Sequence, residues 1–350
     1  MKWLIARVLL VFALLLPGFP VRAAAQTDAL PTFCDLPSSD PAYPAVLSLA
    51  VLGIVRGYEN GCFGGGDTVL RAQMAALIAR GMVWDNEVRG NSFPDRNGVD
   101  ENLWNSVGAL AARGVARGYA DGTFDPTGPV LQAQTISFIT RAMVSKGRWQ
   151  QQPDDPLVYP TVPASSGHRA DITTFVAYAG SLPDRPLGTA FDWNRPSTRS
   201  WFARAFWQAL NWQAQPGLDS EESAFLTLIN LYRERQGVGQ LTTAPTLTIA
   251  AKWMSADLAL RVKVPSDFSH LDSLGRDPFV RMCVFGYCLN TWKGENIAAG
   301  SATAAATFVQ WRDSPGHNEN MVRAEFKTIG IGRAQGGYYG WYWTTDFGGQ

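Results

Sequence analysis

Apolar side chains recur at helical spacing in the first half of the chain. Val46, Leu49 and Ala50 share one face of a predicted helix over residues 44–55, and a counterpart is predicted over residues 103–115. A glycine-containing turn follows each helix, because glycine readily adopts the positive φ that such turns require.

A second helix is predicted after each of these turns, beginning near Arg71 and near Gln132. In the first of them Met74, Leu77 and Ile78 lie on the inward face. A helix-loop-helix unit of this size cannot bury its apolar faces alone, so neighbouring units are expected to pack together.

After residue 217 the pattern changes to longer helices. Asp219 and Glu222 form a capping box for a helix that ends at Gly237, and a second helix is predicted through residues 247–258. A further helix is expected from about Thr303.

The segment after that helix combines a helix stop with strand patterns. Pro315 and Gly316 are predicted to terminate the helix and to leave His317 on a turn. Residues 328–334 alternate with glycine, and residues 338–346 are aromatic and β-prone. Helices followed by strands indicate an α+β fold or a three-layer α-β-α arrangement.

The first half of the chain contains an internal repeat. The sequence Gly-Tyr-Glu-Asn-Gly-Cys-Phe at residues 57–63 returns as Gly-Tyr-Ala-Asp-Gly-Thr-Phe at residues 118–124. A third, degraded copy is predicted at residues 191–199, and its first half, over residues 159–180, is difficult to align. His168 lies in this proline-rich region and is expected in a solvated loop.

The N-terminus is predicted to be a signal peptide over residues 1–25. Lys2 and Arg7 precede a short apolar run, and the alanines at residues 23–25 suit a cleavage site. No later stretch is apolar enough to span a membrane. A soluble, secreted mature protein is therefore expected.

Composition limits the classes of function. At 350 residues, two or more domains are expected. Lys plus Arg and Asp plus Glu number 30 each, so neither a basic footprint nor a nucleic-acid partner is predicted. The 13 tryptophans suit core packing or, as the second interpretation, stacking on sugars.

Four cysteines fit an oxidising compartment. Three connectivities are open from the sequence. The division of the chain favours Cys34 with Cys62 and Cys283 with Cys288. A zinc site at the second pair is the weaker alternative, since no other cysteine pair stands near it.

Two of the three histidines lie in one segment of the second half. His270 and His317 flank Glu295 in a background of small and apolar residues. Two imidazoles and a carboxylate are the groups that proton transfer or histidine metal binding requires.

The repeats resemble S-layer homology repeats, which usually occur in threes. The Gly-Tyr-x-Asp-Gly-x-Phe turn carries this resemblance, which covers roughly residues 33–212. It implies an all-α domain of three helical hairpins around a pseudo-threefold axis, whose grooves bind a cell-wall polymer. The repeats are assigned to residues 33–90, 91–150 and, with the linker, 151–214.

The same resemblance identifies candidate polymer-binding residues. The Arg of the family's Thr-Arg-Ala-Glu signature meets the anionic polymer, and it corresponds here to Arg71 and Arg199, with Gln132 at the second position. Anchoring through at most two grooves is implied. The alternative is that Arg71 and Arg199 are surface residues at helix N-termini and that the repeats serve as a spacer.

Residues 219–350 are similar to the bacterial branch of the CAP superfamily, which contains cysteine-rich secretory proteins, venom allergens and plant pathogenesis-related proteins. The matching segments are residues 225–233, 268–270, 294–298, 311–317, 329–332 and 343–348. The resemblance implies an α+β, three-layer α-β-α domain. The whole chain is thus expected to be multidomain.

The CAP resemblance places His270, Glu295 and His317 in one cleft, with Ser314 where many relatives have a second acid. The first interpretation is an anchored envelope protein whose cleft binds a small ligand: a lipid, a glycan or a metal. The second is a hydrolase with a histidine base and Glu295 as acid. The third is Zn bound by His270 and His317, as the resemblance allows for some members.

Overall fold

The computed structural model describes residues 30–87, 90, 93–96, 98–212 and 217–350. The predicted signal peptide lies outside the described residues. The helices are α1 (Tyr43–Val51), α2 (Arg71–Gly81), α3 (Glu101–Ala111), α4 (Gln132–Ser145), α5 (Arg169–Ala179), α6 (Arg199–Leu210), α7 (Ser220–Arg235), α8 (Pro245–Arg261), α9 (Pro278–Val284), α10 (Ala304–Arg312) and α11 (Pro315–Val322). The strands are β1 (Thr242–Thr243), β2 (Lys293–Ala299), β3 (Thr328–Gly336) and β4 (Gly340–Gly348).

The predicted two-part architecture, with helices in both parts and a sheet in the second, is confirmed. The named elements before residue 215 are the helices α1–α6, and the four strands all follow α7. Helix α1 ends at Val51, four residues before its predicted end. None of the described helices combines the length and hydrophobicity that a membrane span needs.

An aspartate holds the turn of each of the first two repeats. Asp35 accepts hydrogen bonds from the backbone N–H groups of Phe63 and Gly64, at 2.6 and 2.8 Å. Asp95 does the same for Phe124 and the residue after it. The Phe-x-Asp entry of each repeat therefore ties the start of the unit to its turn.

The third copy keeps this arrangement with different residues. Thr161 replaces the aspartate and accepts from the Phe191 N–H at 2.8 Å. The ring of Tyr159 lies 5.5 Å from that of Phe191, as Phe33 lies 5.4 Å from Phe63. Tyr159-Pro160-Thr161 is thus the structural counterpart of Phe-x-Asp.

Three backbone segments, one from each of the first two repeats and one from the predicted third copy, meet in a closed ring of hydrogen bonds. The Val69 N–H donates to the Ser197 carbonyl at 2.9 Å, Ser197 donates to Val130 at 2.8 Å, and Val130 donates to Val69 at 2.9 Å. Each of these residues lies shortly before the second helix of its repeat. The ring brings the N-termini of α2, α4 and α6 together.

The sheet has the strand order β1-β3-β4-β2, so β2 is an edge strand that pairs antiparallel with β4. Gly336 ends β3 and pairs with Gly340, and the turn between β3 and β4 begins at Gly337.

Helices cover the two faces of the sheet. The backbone of α8 lies directly on Gly330 and Gly332, where a Cβ atom would meet helix backbone atoms at 2.0 and 2.4 Å. On the opposite face Phe225 of α7 packs against Trp343 and against Trp311 of α10, with ring centroids 6.0 and 5.2 Å apart. The sheet is therefore the middle layer of three.

The predicted turn at His317 is wrong. Helix α10 ends at Arg312, and Pro315 then occupies the first turn of α11, with His317 in the same turn. Proline is favoured at this position because its missing N–H would be unpaired there in any case. Pro315 and Gly316 therefore start a helix.

The disulfides join Cys34 to Cys62 and Cys283 to Cys288, the pairing that the division of the chain favoured.

Candidate functional site

His270 lies in the loop between α8 and α9, and Arg261 holds this loop in place. The guanidinium of Arg261, at the end of α8, donates to the carbonyls of Ser269 and Leu271 at 2.9 and 2.6 Å. The His270 side chain is 48% exposed, and its Nδ1 lies 2.8 Å from Glu295 Oε1. The loop thus directs the Nδ1 edge of the imidazole at the carboxylate and leaves about half of the side chain exposed to solvent.

Glu295 lies on β2 and its side chain is buried. Its second oxygen, Oε2, accepts a hydrogen bond from the fully buried Arg281 of α9. Both oxygens of Glu295 are therefore engaged, one with Arg281 and one with His270. Arg281 was not predicted as a site residue, because its short helix carries no periodic pattern.

His317 approaches β2 from the other face of the sheet. Asn296, the neighbour of Glu295, points away from it and donates to the His317 carbonyl at 3.0 Å. Asn320 of α11 donates to Asn296 Oδ1 at 2.9 Å. Two adjacent residues of one edge strand thus hold the two histidines from opposite faces.

The histidines are close enough to interact electrostatically. Burial lowers the pKa of His317 below its usual value, and the nearby His270 lowers it further. His270, Glu295 and His317 therefore lie near one another around the edge strand β2.

Ser314 lies where a second acid was expected from the resemblance. Its Oγ is 2.8 Å from His317 Nδ1, and Ser314 precedes the first turn of α11. In a Ser-His-Asp triad the serine contacts Nε2 and the acid contacts Nδ1. The Ser314 contact is instead a local one at a helix start.

A buried acid nevertheless lies next to Glu295. Asp346 of β4 stands directly opposite Glu295 in the strand register and is fully buried. Burial raises its pKa well above the usual value, and the charge of Glu295 raises it further. Asp346 was not predicted as a site residue, because strand pairing alone makes it a neighbour of Glu295.

The described residues do not fit a closed zinc site. Structural zinc takes four protein ligands and catalytic zinc usually takes three. His270 and His317 offer two imidazoles, but Glu295 is occupied by Arg281 and His270. In the described part of the chain, the one close group of three metal-binding residue types is Cys34, Asp35 and Cys62, whose cysteines form a disulfide.

Arg71 is buried between the first two repeats. The residue is 3% exposed, its Nε donates to the Phe124 carbonyl at 2.7 Å, and its guanidinium lies 4.6 Å from the Tyr119 ring centroid. Arg71 is therefore not a surface residue at a helix start, because the turn of the next repeat covers it.

Arg199 makes the equivalent contacts from the third copy to the first repeat. Its Nε donates to the Phe63 carbonyl at 2.8 Å, and its guanidinium lies 4.8 Å from the Tyr58 ring. It keeps partial exposure. Gln132 takes the position of these arginines in the second repeat and is buried, and its Oε1 has no hydrogen-bond partner among the described residues.

His168 does not lie in a solvated loop. It precedes the first turn of α5, and its Nδ1 lies 2.8 Å from the buried hydroxyl of Ser137. Burial lowers the pKa of His168, and the neighbouring Arg141 lowers it further. The expectation failed because the contact joins two repeats that the linker separates in sequence.

Family comparisons agree with both parts of the chain. The family model described as the S-layer homology domain matches residues 32–75 and 92–136, and that of the cysteine-rich secretory protein family, CAP, matches residues 226–347. The chain combines S-layer homology domains with a CAP domain.

Individual relatives cover part of the chain. The uncharacterized protein YkwD of Bacillus subtilis (strain 168) is 31% identical over 134 residues, which is 38% of this chain and 49% of that protein. A cell surface protein of Thermoanaerobacter kivui is 32% identical over 151 residues, covering 41% of this chain and 19% of that one. The alignments thus span half or less of these relatives.

A solved structure shows a further similarity. It is an extracellular protein with an SCP domain from Bacillus anthracis str. Ames, at a TM-score of 0.31 and 24% identity. The match covers 37% of this chain and 40% of that one.

Proposed function

We propose that the repeats anchor this protein to an anionic cell-wall polymer and that the CAP domain binds a small ligand between His270 and His317. The S-layer homology domains and the cell-surface relatives indicate a secreted, cell-wall-associated protein. The observation that carries the ligand site is the convergence of two partly exposed imidazoles on the edge strand that bears Glu295.

The groove beside Gln132 supports the anchoring proposal. A cavity of 280 Å³ lies there and is lined by Arg195, Arg204 and Trp201 among others. Arg195 is exposed, and Arg204 is partly exposed and pairs with Asp184. Because Arg71 is buried and Arg199 already donates to backbone carbonyls, the exposed Arg195 is the cation better placed for an anionic polymer. Arg204 lines the same groove and would exchange its ion pair with Asp184 for the polymer.

Anchoring is tested by pelleting the full-length secreted protein with purified cell walls. The full chain is needed because helices of the repeats and of the CAP domain share one hydrophobic core. We expect the parent to pellet and Arg195→Ala/Arg204→Ala to remain largely in solution. Arg323→Ala, which changes a partly exposed arginine of the CAP domain, is the matched control. A parent that fails to pellet excludes anchoring, and equal pelleting of the variant excludes this groove.

The geometry of the histidines supports ligand binding. In both imidazoles Nδ1 faces a group of the protein, Glu295 in one and Ser314 in the other. This leaves each Nε2 for an external partner. Two such nitrogens around a strand edge can donate to or accept from one polar group of a ligand.

Calorimetric titration with wall glycan fragments, lipids, sterols and Zn identifies the ligand class. We expect one class to bind and the paired variant His270→Ala/His317→Ala to lose at least tenfold in affinity. His168→Gln changes the remaining histidine and is the control. Binding that survives in the paired variant would place the ligand elsewhere.

The alternative hydrolase is not favoured. Glu295 has both oxygens engaged, and the Ser314 hydroxyl contacts the wrong imidazole nitrogen for a triad. Any hydrolytic activity against wall substrates that Glu295→Gln abolishes would restore that alternative.

A further inference from the structure

Behind His270 lies a continuous set of buried polar groups. Arg281 has no exposed side-chain surface, and one of its Nη atoms donates to Glu295 Oε2. Its other Nη donates to the His270 carbonyl at 3.3 Å and lies 3.9 Å from Asp272 Oδ2. One guanidinium therefore contacts both the carboxylate and the backbone of the exposed histidine.

Asp346 completes this set from the neighbouring strand. Side chains directly opposite in an antiparallel pair share one face of the sheet, so Asp346 and Glu295 both lie on the α8 side. No donor from the part of the chain that the structure describes reaches either oxygen of Asp346. Two adjacent buried carboxylates repel, and burial together with the charge of Glu295 raises the pKa of Asp346. Because Asp346 stands directly opposite Glu295 in the strand register, its protonated carboxyl is the group placed to donate to Glu295.

These contacts restrict what Glu295 can do toward His270. A carboxylate that accepts a hydrogen bond from the buried Arg281 guanidinium, with a protonated Asp346 beside it, is itself an acceptor. The hydrogen between Glu295 Oε1 and the neutral imidazole then belongs to His270 Nδ1. The lone pair of the ring is consequently at Nε2, to which no described residue is hydrogen-bonded.

We propose that Arg281, supported by Asp346, is a positioning residue of the cleft: it keeps Glu295 as the acceptor of the Nδ1 proton, so that His270 presents the Nε2 lone pair to a ligand. The role of this arrangement in ligand binding rests on the proposed function of the cleft. The tautomer of His270 is a property of the ligand-free protein and is tested without a ligand.

The test is nitrogen NMR of the full-length protein with ¹⁵N-labelled histidine at about pH 8, where an ordinary imidazole is neutral. In the parent we expect His270 to carry its hydrogen on Nδ1. In Arg281→Met, Glu295 loses its buried cation, takes up a proton and donates to Nδ1, so the histidine hydrogen moves to Nε2. Arg281→Lys keeps the cation and is expected to retain the Nδ1 form.

Two internal controls separate positioning from general disruption. His317 is expected to keep its tautomer in every variant, because its Nδ1 contacts Ser314 and not Glu295, Arg281 or Asp346. Thr345→Val changes the next residue of β4, which is also buried and has no hydrogen-bond partner for its hydroxyl among the described residues. His270 is expected to keep its tautomer in this variant.

A folded Arg281→Met variant with the hydrogen still on Nδ1 would overturn the proposal.

If that variant does not fold, the spectra of Asp346→Asn and Asp346→Leu are compared instead. Asparagine retains a donor toward Glu295 and leaves the His270 Nδ1–H signal in place. Leucine removes the donor, so Glu295 becomes a stronger acceptor and the signal moves downfield. Identical spectra for these two variants would equally overturn it. A confirmed tautomer without any ligand binding would refute only the proposed function.

Discussion

Arg71 shows how a single cation joins two repeats. Its guanidinium is enclosed by the rings of Tyr119 and Phe124, at 4.6 and 4.7 Å, and it donates to a backbone carbonyl that no other side chain satisfies in the contacts described. A desolvated arginine on aromatic faces gains both cation–π and hydrogen-bond energy.

We therefore expect Arg71→Ala to lower the free energy of unfolding by about 2–4 kcal/mol. Arg199→Ala should cost less, because that residue keeps partial exposure. Urea denaturation of both variants and the parent measures the difference. Equal, small effects would mean that burial of Arg71 contributes little.

Two histidines make stability depend on pH. His168 and His317 both have pKa values lowered, first by burial and then by Arg141 and His270 respectively. The unfolded chain then binds more protons than the folded chain near the usual histidine pKa of about 6.5. Stability is thus fully present above that pH and falls as the pH drops through it.

Urea midpoints at about pH 7.5 and pH 5.5 test this expectation, and the midpoint should be lower at the acidic value. His168→Gln, which keeps a polar contact with Ser137, should reduce the difference. A midpoint that rises on acidification would contradict the assigned shifts.

At the scale of elements, β3 is shaped by the helix that crosses it. Ile329 and Ile331 point into the core shared with α7, whereas Gly330 and Gly332 leave room for the α8 backbone. Close contact between a helix and a sheet is available only where the strand has no side chain.

Gly332→Ala should accordingly destabilise the CAP domain by about 3 kcal/mol, the upper end of overpacking costs. The added Cβ would meet the Lys252 nitrogen at 2.4 Å, and a helix backbone cannot yield as a side chain can. Gly239→Ala, whose Cβ enters open space, is the matched control and should change stability by at most about 0.5 kcal/mol. Similar thermal midpoints for the two variants would show that α8 shifts freely.

At the scale of the whole molecule, the repeats and the CAP domain are packed together. Glu234, near the end of α7, binds Lys146 and Arg148 of the second repeat, each at 2.7 Å. Arg312 of α10 donates to the Val51 carbonyl of α1 at 2.9 Å. The largest cluster of buried apolar residues crosses this boundary, and two smaller clusters lie within the CAP domain, so we expect the two parts to unfold together.

Glu234→Ala tests this coupling, because it leaves two partly buried cations without their carboxylate. We expect a loss of about 1–3 kcal/mol and a single calorimetric transition that broadens or splits. Glu319→Ala removes one exposed ion pair, with Arg323, and should cost no more than about 1 kcal/mol. Two separate transitions already in the parent would refute the coupled unfolding.

The features that depend on local pattern could be predicted from the sequence alone. The repeats, the capping box at Asp219, the strand pattern of residues 328–334 and the segments that bear His270, Glu295 and His317 could all be read from residue types and spacing. Helix periodicity, turn glycines and family motifs are properties of neighbouring residues, so no long-range contact is needed to recognise them.

Contacts between residues that are distant in the sequence followed from the fold and could not be predicted from local pattern. Arg71 is buried because the turn of the next repeat covers it. Asp346 is a neighbour of Glu295 because β4 pairs with β2 in a register that places the two residues opposite each other. Arg281 reaches the same carboxylate from a separate helix. Strand register and domain packing are set by the balance of burial over the whole chain, which local spacing does not encode.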